Sequence, residues 1–95
     1  MEQLPTEKLP RDESLVVILR YLVAHPTAKD TIRGIAKWWL PKNVAQQGKR
    51  KIKENLDLLV SAGWLISRSS PQSETIYSLN ENSLMEIKEF LDKGL

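Results

Sequence analysis

Apolar positions along the chain fall into groups set apart by prolines, glycines and polar runs, and the spacing within each group points to an element. Leu15, Ile18, Leu19, Leu22 and Val23 repeat at i, i+3, i+4, i+7 and i+8, which places them on one face of a helix. That helix is predicted to begin at Asp12 or Ser14, either of which suits a cap, and to end before Pro26, whose ring disfavours the α region at the preceding residue. Thr27 to Asp30 read as a connection. Asp30 or Thr31 then caps a second helix with Ile32, Ile35, Ala36 and Trp39 on its buried face, stopped by Pro41. Gly34 weakens that helix mildly and permits close packing. Neighbouring helical side chains stand about 100° apart, so Trp38 cannot share Trp39's direction, and it is expected to be partly buried beside it. Lys42 to Gly48 is a polar turn with room for a helical turn around Asn43 to Gln47. A third, longer helix carries Ile52, Leu56, Leu59 and Val60 and stops at Ala62-Gly63.

After Gly63 the pattern changes. Trp64, Leu65 and Ile66 read as a short strand, Ser69 to Glu74 with Pro71 as a turn, and Thr75, Ile76, Tyr77 and Leu79 as the returning strand of a hairpin. A last helix, capped by Asn82 or Ser83, presents Leu84, Ile87, Phe90 and Leu91. Its stripe either packs on the first helix or pairs with a second protomer, and the needs of a small core favour the first. The order helix, helix, helix, hairpin, helix describes one α+β, mostly helical domain over residues 12–95, behind a flexible N-terminal arm at 1–11 containing Pro5 and Pro10.

Charge changes the picture. The net charge is only +2, yet between Lys29 and Lys53 eight basic residues face one acid, Asp30, while the remainder carries six basic and eleven acidic residues. Such segregation suits a polyanion-facing surface on an acidic body. Catalysis finds no foothold. There is no cysteine, the single histidine, His25, has no second imidazole as co-ligand, the four glycines form no phosphate loop, and Asp12-Glu13 sits where carboxylates simply complement a helix dipole. No enzyme activity, metal or cofactor is expected. No apolar run approaches the roughly 20 residues that span a bilayer, and the acidic, proline-containing start lacks the character of a signal peptide, so a cytoplasmic protein is expected.

Thr31-Ile32-Arg33-Gly34-Ile35-Ala36 and the run Ile52-Lys53-Glu54-Asn55-Leu56-Asp57-Leu58-Leu59-Val60-Ser61-Ala62-Gly63-Trp64-Leu65-Ile66 resemble the second-helix and recognition-helix signatures of the winged helix-turn-helix superfamily. The likeness covers roughly Asp12 to Leu91 and implies a winged helix: a three-helix bundle, a two-stranded β-hairpin wing and a C-terminal helix. It also implies double-stranded DNA as partner, with the early turns of the third helix in the major groove and the wing against the backbone or minor groove. Gln46, Gln47, Lys49, Arg50, Lys51 and Lys53 then fall at or near the leading end, with Arg33, Lys37 and Lys42 nearby and Arg68 at the wing base. Arg50 is the preferred base reader, since arginine pairs with guanine O6 and N7, and Gln suits adenine. Lys49, Lys51 and Lys53 are expected at phosphates.

A narrower likeness, on Gly63-Trp64-Leu65, Pro71 and Tyr77-Ser78-Leu79-Asn80, is to the winged-helix tails of plasmid or phage replication primase-helicases. The implied roles are a small transcriptional regulator or the DNA-binding module of a replication or mobile-element system, nucleoid-associated in the cytoplasm. Two features depart from the pattern. The turn from Leu40 to Gly48 is long, and the wing tip from Ser69 to Glu74 has no basic residue. The neutral tip favours the alternative of a protein-interaction module, with Trp38, the wing or a homodimer through the last helix as contact surface.

Overall fold

The structure is a computed structural model and describes residues 9–93. Residues 1–8 of the expected arm lie outside this range. Leu9, at the arm's other end, is buried in the core, and Arg11 lies 3.9 Å above the Phe90 ring while its Nη1 donates to the Phe90 carbonyl at 2.7 Å.

Helix α1 spans Glu13–Ala24 and buries Leu15, Ile18, Leu19 and Leu22 completely, as its period requires. It ends where the His25 N–H bonds to the Tyr21 carbonyl, just ahead of Pro26. The connection that follows contains a strand the sequence reading missed. Strand β1, Lys29–Asp30, pairs antiparallel with the returning hairpin strand, Lys29 opposite Ser78 and Asp30 opposite Tyr77. Two residues are too few to show the alternation by which a strand is read.

Helix α2 opens as an α-helical turn at Ile32–Gly34, capped by the Thr31 hydroxyl, and widens into a π-helix at Ile35–Trp39. Gly34 permits a close approach here. A Cβ at this position would stand 1.8 Å from Asp30 Oδ1, which accepts the Thr31 N–H at 2.8 Å. The widening corrects the expectation for Trp38. In an α-helix Trp38 would stand about 60° from Ile35. A π turn advances each residue by less, so Trp38 swings farther out while Trp39 stays near the core face. Trp38 is 68% exposed, whereas Trp39 is buried and stacks on Tyr21 with centroids 4.7 Å apart.

The polar turn holds a short helix α3, Lys42–Ala45, anchored by buried Val44. Helix α4, Lys49–Ser61, follows Gly48, whose φ of 98° lies in the left-handed region. It ends in a Schellman arrangement: Trp64 N–H bonds to the Leu59 carbonyl, Gly63 N–H to Val60, and Gly63 takes φ 82°. The Gly63 carbonyl in turn accepts from Asn80 Nδ2 at 2.7 Å and Ser83 Oγ at 3.1 Å, tying the end of α4 to the segment beyond the hairpin.

Strands β2, Leu65–Ser70, and β3, Ser73–Leu79, leave only Pro71 and Gln72 as the turn, tighter than the expected Ser69 to Glu74. Hydroxyl pairs hold the tip, Ser69 to Thr75 at 2.6 Å and Ser70 to Ser73 at 2.5 Å, around a register shift between Arg68 and Ser70. The sheet is therefore three-stranded, ordered β1-β3-β2, instead of the expected two. A 3-10 turn at Glu81–Ser83 leads into α5, Leu84–Lys93, which packs on α1 and buries Ile87 and Phe90. The result is a small, mostly helical α+β domain. No helix among the described residues is long and apolar enough to cross a membrane.

The two adjacent tryptophans therefore differ in consequence. Trp38→Ala is expected to change unfolding free energy by no more than about 0.5 kcal/mol, and Trp39→Ala to cost about 3–5 kcal/mol, measured by urea denaturation.

Candidate functional site

The orientation of α4 decides which of its cations face which way. Its buried stripe is Ile52, Leu56 and Leu59, with one polar member, Asn55. Asn55 Nδ2 donates to Asp12 Oδ2 and to Ser14 Oγ, both at 2.6 Å, and Ser14 Oγ donates to the same Asp12 oxygen at 3.0 Å. Asp12 thus occupies the N-cap position of α1 but spends its carboxylate on α4 and Ser14 instead of capping its own helix. Burial works to raise the Asp12 pKa; donation from Asn55 and Ser14, the charge of Lys51 and the Glu13 N–H outweigh it and hold the carboxyl below its ordinary value.

With α4 so held, Lys49, Arg50 and Lys53 face a surface groove that they line together with Ile32 and Arg33 from α2 and Glu74 from the hairpin tip. Four of the residues singled out in the sequence, Arg33, Lys49, Arg50 and Lys53, are brought together here. Lys51 is exposed and acts on Asp12, toward the start of α1. Lys37 sits with its Nζ 5.0 Å from the Trp38 ring. Lys42, Gln46 and Gln47, on α3 and the turn after it, are exposed but do not line the groove, and neither does Arg68 on β2.

Two of the four groove cations are already engaged. Arg33 pairs with Glu74, and Lys53 Nζ lies 3.0 Å from Asp57 Oδ2, one turn along α4. Hydrogen bonding and charge from Asp57, with a further contribution from Tyr77, raise the Lys53 pKa. The Tyr77 pKa is pushed up mainly by burial, opposed by the charge of Lys53 and assisted by that of Asp57. Lys49 and Arg50 have no carboxylate partner among the described residues.

The leading end of α4 is unusual for its local electrostatics. No side chain caps its first turn, and that turn carries Lys49, Arg50 and Lys51 with no acid. A helix N-terminus exposes unpaired N–H groups and favours negative charge, so three cations there oppose the dipole. Farther along, the exposed side turns acidic: Glu54 and Asp57 line a second shallow depression with Leu58 and Ser61. Glu74 is the groove residue that sequence reasoning missed. In the sequence it belongs to a tip marked only by its lack of basic residues, and its pairing with Arg33 across 41 positions leaves no local signal.

No protein-family model, curated protein or solved structure gives a significant match to this chain.

The polar clamp generates a pH prediction. Because the Asp12 pKa is lowered in the folded protein, its contribution to stability is complete above the unfolded value of about 3.9 and fades as pH falls through the folded value. Asp12→Asn is expected to destabilise the domain at neutral pH, with the difference from the parent closing as pH drops below about 4. Urea midpoints for both proteins between neutral and strongly acidic pH check this.

Proposed function

We propose that the domain is a winged helix-turn-helix module that binds double-stranded DNA with the leading end of α4, serving as a small regulator or as part of a replication or mobile-element system. The observation that carries the reading is the uncapped first turn of α4, loaded with Lys49, Arg50 and Lys51 where the dipole calls for an anion. A phosphate brought there meets free backbone N–H groups and side-chain cations together, so the arrangement that is unfavourable in the isolated domain becomes favourable in a complex.

The charge order along α4 sets the mode of approach. Glu54 and Asp57 would repel phosphates if the helix lay lengthwise in a groove, whereas an end-on approach meets the basic first turn first, with the Arg33–Glu74 pair beside it. Arg50 then reads a base edge, and Lys49 holds a phosphate. A cytoplasmic, nucleoid-associated location follows from this reading.

One observation favours a second reading. An exposed tryptophan is the side chain most enriched at the energetic centres of protein interfaces, and Trp38 stands out from the surface with Lys37 above it. On that reading the domain binds a protein through α2.

Fluorescence anisotropy with a labelled mixed-sequence duplex, titrated between about 50 and 200 mM salt, separates the two. The DNA reading expects log K to fall linearly with log salt. Lys49→Ala should flatten the slope by about 0.9, and Arg50→Ala should weaken binding by about tenfold or more. Lys53→Ala should cost less than either, because that amine is already paired with Asp57. Absence of binding at the lowest salt would overturn the DNA reading and leave the Trp38 surface to be tested against protein partners.

A further inference from the structure

Among the described residues, Glu74 is the only acid lining the groove that holds Arg33, Lys49, Arg50 and Lys53. Its Oε1 receives the Arg33 guanidinium in an ion pair between α2 and the wing tip, with both side chains largely exposed. A carboxylate on a guanidinium occupies the place, and uses the donors, that a phosphate oxygen would take. The wing tip does not present Glu74 loosely. The Ser70–Ser73 and Ser69–Thr75 hydroxyl pairs bridge the strands on either side of it, and the turn between is only Pro71 and Gln72.

We infer that Glu74 is a built-in competitor for the anion site at Arg33, so that a phosphate gains that guanidinium only by displacing the wing carboxylate. The inference rests on the DNA-binding reading and concerns how the same groove is regulated. Release needs no movement of the stapled tip, because rotation of the exposed Glu74 and Arg33 side chains suffices. The consequence is discrimination. A ligand that offers one phosphate to Lys49 and Arg50 leaves the pair closed. A mixed-sequence duplex leaves it mostly closed as well, and only a backbone pressed firmly against α2 opens it and adds Arg33 to the contacts. An acid at this position also gives the tip's lack of basic residues a physical sense: the tip is directed at α2.

The test is a double-mutant cycle on the full chain, using the same labelled duplex and salt series. Glu74→Gln keeps the shape and removes the charge. It should tighten binding about three- to tenfold at low salt, the release of an exposed ion pair together with the loss of a charge facing the phosphates. It should also steepen the slope of log K against log salt by about 0.9, the signature of one more phosphate neutralised. Arg33→Gln should change the parent's affinity by less than about twofold, yet erase most of the gain in the Glu74→Gln background. Duplex binding by the parent that Glu74→Gln leaves unchanged or weakens would overturn this inference and leave the DNA reading standing. So would equal losses from Arg33→Gln in both backgrounds. No binding by either the parent or Glu74→Gln would overturn both.

Discussion

The side-chain amide of Asn55 is the constraint on which the arrangement of α4 depends. An apolar stripe fixes the rotation of a helix only loosely, because a shift of some tens of degrees still buries most of the same surface. A buried amide has no such tolerance. Its N–H groups must meet acceptors, and here they meet Asp12 and Ser14 at the start of α1. Even so, Asn55 Oδ1 finds no hydrogen-bond partner among the described residues, a cost of about 1–3 kcal/mol for a buried acceptor. The charged Asp12 acceptor explains why the amide turns its nitrogen this way. The same contact sends Lys51 toward Asp12 and leaves Lys49, Arg50 and Lys53 to the groove, so a core interaction decides the electrostatics of the surface.

The far end of α4 is fixed by different chemistry. Gly63 turns the chain through the left-handed region, and its carbonyl then holds both Asn80 and Ser83. Trp64 leaves this joint fully buried, edge-on to Phe90 with centroids 5.3 Å apart, while its indole N–H reaches Glu86 at 3.4 Å. The hairpin is therefore anchored to the helical body at its base, and the hydroxyl pairs stiffen its tip. That combination lets a two-residue turn deliver a single carboxylate to α2.

Periodic segments were legible in the sequence because burial imposes its period on the residues. Leu15 to Leu22, Ile52 to Leu59 and Ile87 with Phe90 took the faces their spacing requires. Three things were not legible, each for a physical reason. Strand β1 is too short to carry a pattern. Trp38 was placed by an α-helical period that the π turn at Ile35–Trp39 does not keep. The groove itself was only half visible, because a basic segment gives charge per length of chain and not per area of surface. Of the cations between Lys29 and Lys53, some point elsewhere and two of those gathered in the groove are held by Glu74 and Asp57.

That last difference bears on how basic surfaces act. A count of cations measures the far field, which draws a polyanion in but falls away within a Debye length of about 10 Å at moderate salt. Contact strength depends instead on which cations have no competitor nearby. Here the basic charge is spread over the whole Lys29–Lys53 segment, whereas within the groove the cations without a carboxylate partner among the described residues are Lys49 and Arg50, at the uncapped end of α4. On the proposed reading, such a surface draws in a polyanion at low salt and holds most firmly one that reaches the helix end. On the same reading, discrimination lies in the exposed Arg33–Glu74 pair and not in the core, so it can be changed without disturbing the fold.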